Sequence, residues 1–313
     1  MLSLSKHAPH RLAELLDRLI QGRNGTPYGD DGAVWVADTM LLRQLGVGLH
    51  ETLQYVFSET PTLAQFERWV AERGSAAVPA DSDDDDAPVL SAADLAFWDE
   101  HGYVVVHDAV APEARRAAEE AIWAFLGAER DDPGTWYGGP QGHSIWVPLL
   151  HHPAIDANRR ASRVRRAFAQ LWGREDLWPT IDQVGFNPPE RPGWPFPGPR
   201  LHWDASLEQP MPFDVQGILY LTDTAADQGA FTCVPGFHRR IASWLRDLPA
   251  AADPRAQDLD ALGAVPIAGA AGDLIIWHTA LPHGSSPNRA ELPRIVQYVT
   301  HSPTTWEYRA RWT

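Results

Sequence analysis

The chain has 313 residues, 44% of them hydrophobic, enough to bury a substantial core in one large domain with additions or in two smaller ones. A formal net charge of −15, with Lys6 the single lysine, counts against nucleic acid as a partner, because that binding depends on Lys and Arg neutralising phosphates. Cys233 alone cannot form an internal disulfide, no apolar run approaches the roughly 20 residues of a membrane span, and the first residues lack a signal-peptide pattern, so the chain reads as a soluble cytoplasmic protein with no membrane partner.

In chain order, Leu12, Leu15, Leu16 and Leu19 fall on one face of a helix, and Gly25, Pro27 and Gly29 mark a loop after it. Asn24-Gly25-Thr26 matches a glycosylation acceptor by chance. Further helical patterns run through Leu41 to Phe57 and Thr62 to Val70. Residues 1–80 are therefore expected to form a helical N-terminal extension, suited to covering a pocket or to homo-oligomer contacts. Residues 81–89 hold Asp81-Ser82-Asp83-Asp84-Asp85-Asp86, a run of like charges that cannot be buried and reads as an exposed linker. The remainder, 90–313, is expected to be the catalytic domain.

Within it, Ser91 caps a helix ending at His101-Gly102, Tyr103 to Val106 is a strand, and Pro112 to Leu126 is a second helix. A Trp-, Gly- and Pro-rich loop spans Pro133 to Pro148. His151-His152 lacks a carboxylate at recognisable spacing and reads as structural, and the run Arg163-Val164-Arg165-Arg166 reads as the solvated face of a helix. Short β-branched runs then recur between turn residues: Thr180 to Phe186, Val215 to Leu221, Phe231 to Val234, Asp273 to Trp277 and Arg294 to Val299. This pattern predicts a mainly β fold with flanking helices (α+β), a sandwich or jelly roll rather than a parallel sheet.

The chemistry concentrates in His202-Trp203-Asp204. In extended backbone, side chains two residues apart share a face, so His202 and Asp204 project together while Trp203 points away. With a third ligand from His283 the set becomes two histidines and one carboxylate, the triad of non-haem Fe(II) oxygenases that leaves coordination positions open. His278, five residues upstream, competes for that third place. The pair His238-Arg239 invites an anion, but it follows the turn Pro235-Gly236, where polar side chains commonly tie the backbone.

Taken in order, Phe97 to Val106, His202-Trp203-Asp204, Gly229 to Arg239, Gly272-Asp273, His283 to Asn288 and Arg294 resemble the phytanoyl-CoA dioxygenase family, a branch of the Fe(II)- and 2-oxoglutarate-dependent oxygenases. The resemblance covers about Leu90 to Pro303 and none of residues 1–80. Phe237 stands where the family's turn segment usually has Ser, a departure assigned to local packing.

The resemblance implies a double-stranded β-helix (jelly roll, cupin-like), with iron held by His202, Asp204 and His283. It favours His283 over His278, because Gly284, Ser285 and Arg294 follow in register. It also implies that Arg294 pairs with the distal carboxylate of 2-oxoglutarate, and a planar guanidinium fork suits a carboxylate. Ser285 adds a hydroxyl to the same end, and Gln183 and Asn187 are candidates for the other. With dioxygen, the expected reaction is hydroxylation of an unactivated carbon of a small metabolite or natural-product intermediate, releasing succinate and CO2. Because Asp204 fills the carboxylate position, hydroxylation is expected, with desaturation or ring formation as variants. Against this stand an acyl-CoA or carrier-bound substrate, a catalytically silent jelly-roll binding protein, and a zinc hydrolase or isomerase, for which Arg294 would have no role.

Overall fold

The computed structural model describes residues 8–23, 32–74 and 87–303. The expected loop and glycosylation match at residues 24–29 and the acidic run of residues 81–86 lie outside the described residues. By chain contacts the described residues fall into two units, residues 8–74 with Pro303, and residues 87–302.

The first unit contains α1 (Ala8–Arg23), α2 (Gly32–Gln44), α3 (Leu49–Glu59) and α4 (Leu63–Gly74). The leucine stripe of α1 is buried against Phe66, Trp69 and Val70 of α4. A single helical run through Leu41 to Phe57 is not what forms. Gly46 adopts φ 71°, a left-handed conformation open to glycine, and the chain restarts at Gly48, whose N–H is taken by the Glu51 carboxylate at 2.6 Å. Tyr55 stacks on Trp69 with ring centroids 4.6 Å apart, tying α3 to α4.

The second unit begins with α5 (Ala92–His101), capped by Ser91, and β1 (Tyr103–Val106). There follow α6 (Pro112–Leu126), β2 (Trp146–Val147), α7 (Pro153–Arg160), α8 (Ser162–Trp172), β3 (Leu177–Pro179), β4 (Val184–Asn187), β5 (Val215–Tyr220), β6 (Phe231–Cys233), α9 (Ile241–Asp247), β7 (Val265–Pro266), β8 (Leu274–His278), β9 (His283–Ser285), β10 (Arg294–Tyr298) and β11 (His301–Pro303). Of the expected strand from Thr180 to Phe186 only Val184 to Phe186 form one, in β4, while β3 ends before it at Pro179. Between them Thr180 N–H bonds to Thr300 O at 2.8 Å and Asp182 O accepts from Arg159, which removes those residues from a ladder.

Six antiparallel strands order as β1-β8-β5-β10-β4-β2, beside a smaller sheet β7-β6-β9 and the pair β11-β3. The large sheet has two unlike faces. Val104, Leu219, Leu274, Ile276, Val184, Phe186 and Ile295 face a cluster with Ile122 and Trp123 of α6, Ile155 of α7, and Val164 and Phe168 of α8. Each such buried side chain contributes roughly 1.5–3 kcal/mol. The arginine run on α8 thus leaves its apolar positions to the core, while Arg163, Arg165 and Arg166 hold the carbonyls of His107, Glu175 and Ala87. The opposite face, with Ile218, Tyr220, Ile275, Trp277, Val296 and Tyr298, packs toward Phe231 and Cys233 of the small sheet. This two-sheet jelly roll with helices on one side is the expected α+β double-stranded β-helix. The candidate ligands lie on the sheet-facing side. Among the described residues no helix is long and apolar enough to cross a membrane.

Candidate active site

His202 and His283 are joined by a backbone bridge: His202 N–H bonds to His283 O at 2.9 Å, and His283 N–H to His202 O at 3.0 Å. This close approach requires glycine next to His283. A Cβ on Gly284 would lie 2.5 Å from the Arg200 carbonyl oxygen. Trp203 turns away, as the alternation predicts, and is buried with its indole N–H on Ala280 O at 3.0 Å. Arg255 donates to Trp203 O at 2.8 Å and Ala205 O at 2.7 Å, gripping the backbone on both sides of Asp204.

The side chains converge. Ligand-capable atoms of His202, Asp204 and His283 all lie within 4.8 Å of one another. His202 Nε2 is 3.2 Å from Asp204 Oδ1, and His283 Nε2 is 3.3 Å from Asp204 Oδ2. Each Nδ1 faces a backbone carbonyl, Arg200 O at 2.7 Å for His202 and Leu281 O at 3.1 Å for His283. A carbonyl can only accept, so both Nδ1 atoms carry hydrogen and both neutral rings aim a bare Nε2 at a carboxylate. Lone pairs facing lone pairs require a cation between them. Burial opposes charge on His202, but the Asp204 hydrogen bond raises its pKa; burial favours neutral Asp204, but hydrogen bonds with His202 and His283 hold its pKa well below the usual range. Two imidazoles, one carboxylate and committed Nδ1–H groups fit a non-haem Fe(II) ion.

Above the triad lies a cavity of about 330 Å³, partly open to solvent, lined by His202, Asp204 and His283 with Trp146, Pro199, Ile218, Phe231, Trp277, Gly284, Ser285 and Tyr298. Arg294, wholly buried, donates through Nη1 to Ser285 Oγ at 3.1 Å, while its Nε and Nη2 have no hydrogen-bond partner. Tyr298, four residues on along the same face of β10, hydrogen-bonds to Ser285 and Arg294, and burial raises its hydroxyl pKa. Tyr298 was not singled out from sequence, although a period of two from Arg294 points to it.

The other expected residues separate. His278 stays outside the cluster: its Nδ1 accepts from Ala280 N–H at 3.0 Å, and burial, with His238 nearby, pushes its pKa down to about 4. Asn187 pairs with Arg294 in the β4–β10 ladder, but its amide donates to Ser286 O at 3.2 Å. Gln183 gives its backbone carbonyl to Tyr298 N–H at 3.4 Å. Neither Gln183 nor Asn187 lines the cavity. His152 caps α7 through Ala154 N–H, and His238 bonds to Asp99 O, both structural arrangements. Phe237 is buried against Trp203 and Trp244, consistent with a packing origin for that departure.

The sequence profile of the phytanoyl-CoA dioxygenase (PhyH) family matches residues 98–296, more than half of the chain. The chain belongs to the phytanoyl-CoA dioxygenase family. A Dictyostelium discoideum protein named "Putative phytanoyl-CoA dioxygenase" is 21% identical over 261 residues, covering 67% of this chain and 74% of that protein. Among solved structures, HygX from Streptomyces hygroscopicus, with nickel and 2-oxoglutarate bound, is 16% identical, covers 69% of this chain and 88% of its own, and superposes with a TM-score of 0.51. The epimerase SnoN, in complex with Fe3+, alpha ketoglutarate and nogalamycin RO, is 18% identical, with coverage of 67% and 82% and a TM-score of 0.49. Phytanoyl-CoA dioxygenase family proteins are iron- and 2-oxoglutarate-dependent oxygenases, and the likeness to HygX shows the shared fold.

Proposed function

We propose that the protein is an Fe(II)- and 2-oxoglutarate-dependent oxygenase that hydroxylates an unactivated carbon of a small metabolite or natural-product intermediate in the cytoplasm. His202, Asp204 and His283 hold the iron. Arg294 receives the distal carboxylate of 2-oxoglutarate, with Ser285 and Tyr298 supplying hydroxyls. One observation carries the reading: a convergent donor set, whose bare nitrogens face a carboxylate, opens onto a cavity lined by Ser285, to which a buried arginine with two unpartnered donor atoms is bonded.

Iron bound there supplies the dioxygen chemistry that converts 2-oxoglutarate to succinate and CO2 and oxidises the substrate carbon. The chain orients and shields. Arg294 fixes the cosubstrate by charge and planar geometry in a pocket with little water, where a charge-assisted bond is stronger than in bulk. Phe231, Ile218 and Trp277 provide apolar walls, and Trp146, on the edge strand and 37% exposed, stands at the opening where a substrate enters. Among the described residues that line the cavity none is a lysine or arginine that could meet a CoA phosphate, which favours a small molecule over an acyl-CoA. The helical extension, residues 1–80, supplies no iron ligand in this reading, and the linker 81–89 separates it from the oxygenase domain 90–313.

The test is succinate formation. The purified protein, supplied with Fe(II), 2-oxoglutarate and dioxygen, is expected to release succinate, and Asp204→Ala is expected to release none. Equal succinate from both proteins contradicts the assignment, and zinc-supported hydrolysis without 2-oxoglutarate would establish the hydrolase instead.

A further inference from the structure

Asp204 has a third polar neighbour that the iron assignment does not use. Gln216 in β5, opposite Trp277 in the β5–β8 register, donates its amide to Asp204 Oδ2 at 3.0 Å, and its amide oxygen accepts the Trp277 indole N–H at 3.2 Å. An indole N–H only donates, so the Gln216 oxygen must face Trp277 and its NH2 group must face Asp204. The amide orientation, ordinarily an assignment, follows here from the partner's chemistry.

The relay also has a mechanical direction. Trp277 is 3% exposed and packs on Phe231 with centroids 4.4 Å apart, inside the central strand β8. Asp204, in contrast, sits on a bend between strands with its side chain 48% exposed. Arg255 holds the backbone there, but a carboxylate can still rotate about its own bonds. Among the described residues only the two imidazoles and Gln216 restrain that rotation, and the imidazoles are themselves expected ligands.

We propose that Gln216, anchored by Trp277, is a positioning residue for the metal site. By holding Oδ2 it directs Asp204 to bind through a single oxygen, which keeps open the coordination positions that the cosubstrate and dioxygen need. This rests on the assignment of the metal to His202, Asp204 and His283. Groups that orient a metal ligand typically change metal affinity by roughly 10–100-fold when removed.

The experiment uses cobalt(II) as the probe, titrated anaerobically into the full-length protein and followed by visible absorption. Gln216→Met keeps the bulk and loses both hydrogen bonds. It is expected to weaken cobalt binding by about tenfold or more, with an apo unfolding midpoint close to wild type. Trp277→Phe, which leaves Gln216 in place without its anchor, is expected to weaken binding by a smaller factor and carries the test should Gln216→Met fail to fold. Cobalt affinity of a folded Gln216→Met within about threefold of wild type, or of Trp277→Phe equal to wild type, overturns the proposal. Asp204→Ala separates the two claims. If it binds cobalt like wild type, the site assignment fails. If it loses cobalt while Gln216→Met does not, only the positioning role fails.

Discussion

Among the described residues two arginines are withdrawn from solvent, on opposite faces of the large sheet, and they are treated differently. Arg159 of α7 donates to the Asp156 carboxylate at 2.7 Å and to Asp182 O at 2.7 Å. Around it, Asn158 bonds to Gln297 of β10 at 3.1 Å and Gln297 to Ile155 O at 2.8 Å, so the polar groups there bind helix to sheet. Three residues earlier on β10, Arg294 has a serine hydroxyl at 3.1 Å and the Tyr298 hydroxyl, and among the described residues no carboxylate. An uncompensated buried charge costs several kcal/mol. In the proposed reading the distal carboxylate of 2-oxoglutarate supplies the counter-ion that Arg294 lacks among the described residues.

The contrast breaks most directly by removing each charge. Arg159→Met takes the guanidinium from the buried Asp156 carboxylate, leaving His151 3.8 Å away beside it, and should lower the unfolding free energy of the metal-free protein by about 3–5 kcal/mol. Arg294→Met deletes a charge that has no counter-ion, so stability should hold or rise. Urea denaturation of both variants reads this, and equal losses would erase the distinction.

Cosubstrate affinity sharpens the same contrast. Arg294→Ala should weaken 2-oxoglutarate binding roughly ten- to a hundredfold, the worth of a charge-assisted contact of about 1.5–3 kcal/mol. Arg294→Lys keeps the charge but not the planar fork and should lose less. Iron affinity should change little in either. Calorimetric titration of 2-oxoglutarate into the metal-loaded variants measures this, and an unchanged dissociation constant for Arg294→Ala would place the cosubstrate elsewhere.

The smallest effect concerns histidines that serve only the fold. Burial depresses the pKa of His278 to about 4 and that of His301 to about 3. As pH falls below about 6.5 the unfolded chain takes up protons that the folded protein refuses, so stability is lost across the interval down to the folded-state values. For His278 this amounts to roughly 1–2 kcal/mol between pH 6.5 and about 4. His278→Gln should flatten that part of the profile in pH-dependent denaturation, and a profile identical to wild type would remove His278 from it.

How much of this could be read in the sequence depended on how local the signal was. The spacing of His202 and Asp204 carries its own geometry, and Pro112 to Leu126 is a helix at both expected ends. Strand β9 was invisible to pattern: His283-Gly284-Ser285 has no β-branched residue and pairs because the bridge to His202 and the ladder to Phe231–Cys233 hold it. Helix α7 carried no such signal, whereas α8 is the helix expected from Arg163, Arg165 and Arg166, with a short apolar stripe of Val164, Ala167 and Phe168 facing the core. Gln216 looked like an interruption in an apolar strand. Its role needs Asp204 and Trp277, brought to it by separate parts of the chain, and nothing within a window around residue 216 carries that information.

The central claim is that His202, Asp204 and His283, and not His278, hold the iron that 2-oxoglutarate chelates. Anaerobic addition of Fe(II) and then 2-oxoglutarate, watched for the visible charge-transfer band of the chelate, tests it directly. The account predicts the band in wild type and in His278→Ala and its loss in His283→Ala; a band that survives in His283→Ala and vanishes in His278→Ala would contradict it.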